Sequence, residues 1–193
     1  MRRLVLVGVH TWWFYLSASL AFGAIAFNEA FPIYVLLMPL SLWALVLASS
    51  GLQLDTIPRG LPAFLIGAGI VTGLAWGVLL WIEMASGAFP PESYYTVRTT
   101  YAVDLGLIAP GCVAAGVGIA QRRPWGAYLG LPLLWLAAFL LPMMLLQTVM
   151  QLCAGVSFGR EATAPFVGFG LVSGGALWFL LRVPGHLRRP KSL

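Results

Sequence analysis

Two acidic residues in this chain stand inside or at the end of long apolar runs, where a charge is costly. Asp104 lies in the run Tyr101-Ala-Val-Asp-Leu-Gly, and Glu83 ends another run in Trp81-Ile-Glu-Met. Ionisable groups in such places are usually paired or functional. We therefore predict a site built from six polar side chains, which are Glu83, Arg98, Tyr101, Asp104, Gln147 and Gln151.

Those six side chains suit a small organic ligand or a lipid headgroup, because a few convergent polar groups in aromatic surroundings are typical of ligand pockets. Gln147 and Gln151 are four residues apart and so share one helical face. A purely structural interpretation is favoured, in which Asp104 pairs with Arg98 and the amides bond between helices. Ligand binding stays open beside it, and acid/base chemistry by Asp104 or Glu83 is a third interpretation.

The sequence gives little support for metal binding, cysteine chemistry, serine hydrolysis or phosphate binding. Two histidines, His10 and His186, stand far from the acidic residues, so no metal site is predicted. Cys112 and Cys153 form no C-x-x-C motif and are interpreted as packing residues. The chain contains no G-x-S-x-G motif and no phosphate-binding glycine loop. We predict no catalytic residue and no cofactor.

The composition sets the class of protein. Of 193 residues, 60% are hydrophobic and only 9% are charged, whereas a soluble domain is about 45–50% apolar and roughly 25% charged. A soluble globule is thus excluded, as are a disordered chain, which needs charge, and a disulfide scaffold, which needs more cysteines. What remains is a multi-pass integral membrane protein.

Six apolar runs approach the length of about 20 residues that a helix needs to cross a bilayer. We therefore predict an all-α transmembrane bundle that forms a single membrane domain over residues 1–193. The predicted spans are residues 4–27, 32–52, 61–84, 101–120, 125–153 and 165–181.

The basic residues predict the orientation. With six spans, both termini lie on one side, together with all Lys and Arg residues except Arg98 and Arg160. Cytoplasmic loops carry the excess of Lys and Arg, so the termini are predicted to be cytoplasmic. A cleaved signal ending at Ala24-Ile-Ala is disfavoured, because its apolar stretch is too long. The net charge of +5 then reflects orientation, and no nucleic-acid partner is expected.

Small residues recur every four positions in three of the spans. Membrane helices associate through such small faces, because lipid offers no hydrophobic drive between helices. We expect the third, fourth and sixth spans to form a tight inner cluster through these faces. The predicted packing residues are Gly69, Gly73, Gly77, Gly111, Ala115, Gly170 and Gly174.

The segment Val103-Asp-Leu-Gly-Leu-Ile-Ala-Pro110, followed by Arg122-Arg-Pro-Trp-Gly126, resembles a pattern of uncharacterised bacterial polytopic membrane proteins. In those proteins a D-L-G helix start leads to an R-R-P-W-G turn in the cytoplasm. The resemblance implies a location in the bacterial inner membrane, and it implies no activity.

Three functions remain. The favoured one is a non-enzymatic accessory or structural membrane protein, which binds a membrane protein partner or a second copy of itself within the lipid bilayer. The alternative is a component that binds or transports a small organic molecule in an outward-facing polar pocket. In size and span number the chain is similar to the substrate-binding subunits of energy-coupling vitamin transporters. A lipid-modifying enzyme is the third.

Overall fold

The computed structural model describes residues 2–22, 31–50, 52–86, 103–153, 155 and 163–187. Over these ranges the regular structure is helical, and the extended pairing there is an isolated bridge between Leu54 and Leu187. The all-α prediction is confirmed for this part of the chain. The helices are α1 (Arg2–Phe22), α2 (Phe31–Ser49), α3 (Leu61–Ser86), α4 (Ala109–Ala120), α5 (Pro124–Ala138), α6 (Leu140–Cys153) and α7 (Thr163–Arg182).

Two short helical turns extend this set. A π-helical turn, Asp104–Ile108, leads into α4, and a 3-10 turn, Val183–His186, continues α7. The predicted fifth span, residues 125–153, consists of α5 and α6, which are separated at Phe139. Pro142 lies three residues after this break, and a proline disfavours regular helix in the turn that precedes it.

Three helical stretches in the described ranges are long and apolar enough to cross a membrane. They are Leu61–Ser86 with mean hydropathy 2.1, Pro124–Met150 with 2.2 and Val167–His186 with 1.4. Two further apolar helices, Leu36–Ser49 and Asp104–Ala120, are shorter. Large apolar side chains such as Trp43, Trp81 and Leu171 are exposed on the outer helix faces. These features are consistent with a membrane protein.

Helix α5 lies at the centre of the bundle. It packs against α1, α4 and α7, while α1 pairs with α2, α3 with α4 and α6 with α7. Helix α3 meets α7 only lightly, and α7 packs chiefly against α5 and α6. The third and fourth spans therefore pack together as expected, whereas the expected close packing of the sixth span against them is wrong. The small residues Gly126, Ala127 and Gly130 at the start of α5 are buried, which lets two neighbouring helices approach it closely.

The contact between α3 and α4 depends on a glycine. A Cβ atom placed on Gly69 would lie 2.6 Å from the carbonyl oxygen of Ala109 and 3.0 Å from Cβ of Cys112. Gly73 is one turn further along, where such an atom would lie 3.6 Å from Cβ of Ala109. At Gly77 it would meet no described atom within 4 Å. Among these three glycines of α3, the approach to α4 is therefore closest at Gly69, and Gly116 of α4 makes a similarly close approach to the backbone of α3.

The remaining predicted packing residues lie in different surroundings. Ala115 is fully buried in the core. A Cβ atom on Gly111 would lie 3.4 Å from Leu133, and one on Gly170 would lie 3.8 Å from Leu141. At Gly174 it would have no described neighbour within 4 Å. Its neighbour Gly175 lies against α3, because a Cβ atom there would lie 2.6 Å from the ring of Phe64.

Helices α4 and α5 meet backbone to backbone. A Cβ atom on Gly126 would lie 2.4 Å from the carbonyl carbon of Gly118, and one on Gly118 would lie 2.7 Å from the ring of Trp125. Pro124 occupies the first turn of α5, where its missing N–H and fixed φ are tolerated. The turn between the two helices is consequently short and tightly packed.

That turn ends α4 with the hydrogen bonds of a Schellman motif. The N–H of Arg123 donates to the carbonyl oxygen of Gly118 at 2.8 Å, and the N–H of Arg122 donates to that of Ile119 at 2.9 Å. Arg122 takes the left-handed conformation, with φ of 57°, at the position where glycine is usual. For a residue with a Cβ atom this conformation costs about 1–2 kcal/mol.

Replacement of Gly126 by alanine should destabilise the bundle. The new methyl group would have to push the backbone of α4 away from α5, and overpacking of this kind costs roughly 1–3 kcal/mol. We expect G126A to melt at a clearly lower temperature in detergent than the unmodified protein, as measured by differential scanning fluorimetry. The matched control is G77A, which should melt close to the unmodified protein. Equal melting temperatures of G126A and G77A would contradict the contact.

Candidate functional site

The π-helical turn that contains Asp104 is produced by the proline that follows it. Pro110 has no N–H to donate to the carbonyl group of Gly106, and its ring crowds that carbonyl. The chain widens instead, and the N–H of Ala109 donates to the carbonyl oxygen of Asp104, five residues earlier. Single π-helical turns often mark functional sites, so this turn is a natural place to look for one.

The carboxylate of Asp104 is buried and bonded inside the protein. The residue is only 8% exposed. The hydroxyl group of Tyr15 donates to Oδ1 at 3.4 Å, and the side chain of Trp76 also forms a hydrogen bond with this carboxylate. Tyr15 belongs to α1 and Trp76 to α3. The side chain of Asp104 therefore joins three separate elements of the fold.

The other predicted site residues are less closely defined. Glu83 lies near the end of α3, while Gln147 and Gln151 lie on α6, but the side chains of all three are outside the described part of the chain. Arg98 and Tyr101 lie outside the described residues altogether. Helix α6 packs chiefly against α7. The six-residue pocket thus stays a prediction, and Asp104 is its one member whose surroundings are known.

Sequence reasoning missed both partners of Asp104. From the sequence alone, Tyr15 is interpreted, with Trp12 and Trp13, as an anchor of α1 at the membrane interface, where aromatic residues are enriched. Its position carried a signal, because it lies 13 residues after Arg2, which is roughly 20 Å along a helix. That depth is too great for an interfacial anchor at the N-terminal end of α1. A hydroxyl group at such a depth requires a partner within the protein.

A large apolar groove lies beside Tyr15. It lies between the hairpin of α1 and α2 on one side and α5 with the π-helical turn on the other, and its volume is about 680 Å³, within the range of ligand pockets. We call it the hairpin groove. Its lining is mainly apolar and includes Phe14, Ala18, Leu42, Leu45, Val46, Val103, Leu107, Ile108, Trp125, Leu129, Pro132 and Leu133.

Among the polar groups of the hairpin groove, Ser49 stands apart. Thr11 and Ser50 each donate to a carbonyl group of their own helix or its last turn, both at 2.6 Å, and Tyr15 donates to Asp104. Ser49 is only 6% exposed, and its hydroxyl group has no hydrogen-bond partner among the described residues. A buried polar group without a partner costs about 1–3 kcal/mol, so a hydrogen-bond partner supplied to this hydroxyl group from outside the described residues would stabilise the fold.

A second, shallower cavity of about 410 Å³ lies on the other side of α1. The rings of Trp135 and Phe139 stack here with centroids 5.7 Å apart, and Trp12 meets Phe139 edge-on at 6.0 Å. Gly8 makes room for Trp135, because a Cβ atom there would lie 2.6 Å from the indole ring. This aromatic cluster holds α1 against α5.

No group of three potential metal ligands from His, Cys, Asp and Glu occurs within the described ranges. His186, expected to lie in a tail, is instead held against the loop after α2, where its Nδ1 lies 2.6 Å from Oγ1 of Thr56. Cys112 is buried and Cys153 is exposed. The hairpin groove and the turn at Asp104 are therefore the features from which a function can be argued.

A double-mutant cycle should measure the link between Tyr15 and Asp104. Y15F leaves the buried carboxylate without one donor, so we expect a loss of stability of about 1–3 kcal/mol. The combination of Y15F with D104N should cost less than the sum of the two single changes. The free energy of unfolding in detergent is the measurement, and W13F, which changes an exposed ring, is the control. Strictly additive effects would show that the two side chains do not interact.

Comparison with known proteins adds no functional assignment to the hairpin groove or to the turn at Asp104. The hairpin groove provides volume, a mainly apolar lining and one buried hydroxyl group without a partner among the described residues. The turn at Asp104 provides a carboxylate that is already bonded within the fold. No protein family, no curated protein and no solved structure matches this chain.

Proposed function

We propose that this chain is a multi-pass protein of the bacterial inner membrane that binds an amphipathic, largely hydrocarbon molecule in the hairpin groove. The observation that carries the proposal is the combination of a groove of about 680 Å³ with the buried, unpartnered hydroxyl group of Ser49. A molecule with an apolar body and one polar end would satisfy both features.

The chemistry of the membrane makes the polar contact decisive. In a bilayer, moving a hydrocarbon chain from lipid to a groove lined by leucine brings little hydrophobic gain, because the two environments are equally apolar. Affinity must come from close packing and from hydrogen bonds that lipid cannot offer. Ser49 supplies such a bond at one end of the groove, and the rings of Phe14 and Trp125 supply contact area.

The direction of the groove supports an elongated ligand. Ser49 and Trp125 line it where α2 ends and α5 begins, whereas Ala18 and Val103 line it near the far end of α1 and the π-helical turn. A chain-like molecule would lie along this length with its polar end beside Ser49. The polar end would then face the side of the bundle on which Arg2 begins α1.

The hydrogen bonds that Asp104 already accepts are a second reason to place the ligand in the hairpin groove and not at Asp104. Its carboxylate accepts hydrogen bonds from Tyr15 and Trp76, which supports a structural role in holding α1 and α3 together. A ligand at Asp104 would have to compete with these internal donors. Ser49 presents no such competition among the described residues.

Filling the groove should displace its occupant. L129W places an indole ring in the lining, and we expect the purified protein to retain less bound amphiphile, as measured by native mass spectrometry after transfer to lipid-free detergent. The control is L171W, which makes a similar change at an exposed position outside the groove and should retain as much as the unmodified protein. A stoichiometric protein partner without a bound small molecule would favour the accessory role instead.

The S49A substitution tests the polar contact, because it should stabilise the protein without ligand and weaken the binding of ligand. Without ligand, removal of the unpartnered hydroxyl group should stabilise the protein by about 1 kcal/mol. With ligand present, the same change should weaken retention, because the hydrogen bond is lost. Melting temperatures of delipidated and lipid-loaded samples provide the measurement, and S41A is the control because Ser41 already donates to a carbonyl group of α2. Weaker stability of S49A in the delipidated state would contradict the proposal.

A further inference from the structure

A cavity with charged residues in part of its lining lies near the hairpin groove, at the end of the bundle where α2 ends and α5 begins. It has a volume of about 460 Å³ and lies between the loop of residues 53–57 and the turn of residues 122–124. We call it the cap cavity. Arg122 and Arg123 are among the residues that line one side, and Gln53, Asp55 and Thr56 line the other.

The two cavities share a boundary. Pro124 and Ala127 line the cap cavity, whereas Trp125 and Tyr128, the residues that follow each of them, line the hairpin groove. On the opposite side, Ser50 belongs to the groove and Gln53 to the cap cavity. The first turns of α5 therefore carry an apolar compartment on one face and a cationic compartment on the next.

We infer that the molecule bound in the hairpin groove is an anionic phospholipid with hydroxyl groups in its headgroup. This inference rests on the proposed function. The phosphate would lie between Arg122 and Arg123 in the cap cavity, a headgroup hydroxyl would donate to Asp55, and an acyl chain would lie in the hairpin groove past Ser49.

The charges in the cap cavity select this headgroup. Two guanidinium groups and one carboxylate leave a net charge of +1, which a headgroup of charge −1 neutralises and a zwitterionic headgroup does not. Guanidinium groups bind phosphate through paired hydrogen bonds. The carboxylate of Asp55 has several acceptor sites, so it can accept from a hydroxyl group in addition to its bonds within the protein.

The turn holds its arginines at a conformational cost. Arg122 takes a left-handed conformation that glycine adopts without strain, and main-chain hydrogen bonds to Ile119 and Gly118 keep the turn in this shape. The N-terminus of α5, which starts at Pro124, adds positive potential at the same place. The arginines of the turn and the N-terminus of α5 therefore both favour an anionic group at this place.

The opposite side of the cap cavity is also held in place. The N–H of Asp55 donates to the carbonyl oxygen of His186 at 2.9 Å, and Oγ1 of Thr56 lies 2.6 Å from the ring of the same histidine. Nη1 of Arg3 donates to the carbonyl oxygen of Ser50 at 3.2 Å. These contacts from α1 and α7 keep the loop in position, so the cavity exists before a ligand enters.

The test compares two phospholipids on the purified, delipidated full-length protein in dodecyl maltoside. We expect phosphatidylglycerol to raise the melting temperature by several degrees more than phosphatidylcholine does. R122G combined with R123Q should abolish this difference, with a loss of affinity for phosphatidylglycerol of about tenfold or more. Because glycine relieves the strain at position 122, this variant should melt no lower than the unmodified protein when no lipid is present.

The control variant is R2Q combined with R59Q, which removes two exposed positive charges outside the cap cavity. It should keep the preference for phosphatidylglycerol. Equal loss in both double variants would overturn the inference, since bulk charge would then explain the binding. The same stabilisation by glycerol phosphate alone would also overturn it, because the ligand would be a free anion.

The outcome separates this inference from the proposed function. If the unmodified protein retains amphiphiles in native mass spectrometry, loses them in L129W, and shows no headgroup preference, the proposed function stands and the anionic headgroup is rejected. If it retains no amphiphile at all, both are rejected. Retention of phosphatidylglycerol that is lost in R122G/R123Q and kept in R2Q/R59Q supports both.

Discussion

The backbone contact between Gly118 and Gly126 is the constraint on which the rest of the bundle depends. Membrane helices gain little from burying apolar surface, so they associate where small residues let their backbones touch. Here that contact sets α4 directly against α5. It also leaves only a short turn between them, which places Arg122 and Arg123 side by side at one end of the molecule.

Close packing on one side of α5 is accompanied by open space on another. Helix α5 contacts α4 through glycines and α1 on another face, and the hairpin groove lies where part of the α1–α2 hairpin does not reach α5 and the π-helical turn. The hydrogen bond of Tyr15 to Asp104 and the edge-on contact of Trp12 with Phe139 hold this hairpin in place. The groove is therefore bounded by fixed contacts, and it does not require the hairpin to move.

Asp104 illustrates which properties of a site can be predicted from sequence and which cannot. Its position inside an apolar run correctly indicated a residue that must have partners within the protein, and the structure finds it buried. The partners described are Tyr15 and Trp76, from helices that precede it by many residues. Nothing in the order of residues pairs an aspartate with a tyrosine 89 positions away, because that proximity depends on how α1, α3 and the π-helical turn are arranged.

The sequence by itself determined that the chain is helical, apolar enough to lie in a membrane and punctuated by polar turns at definite places. Those properties follow from composition and from local backbone preferences, which each segment carries alone. Only the tertiary structure decided that α5 is central, that Ser49 has no partner among the described residues and that the arginines of one turn lie near an apolar groove. The physical reason is that a membrane helix is apolar on every side, so its sequence does not distinguish the face that meets lipid from the face that meets another helix.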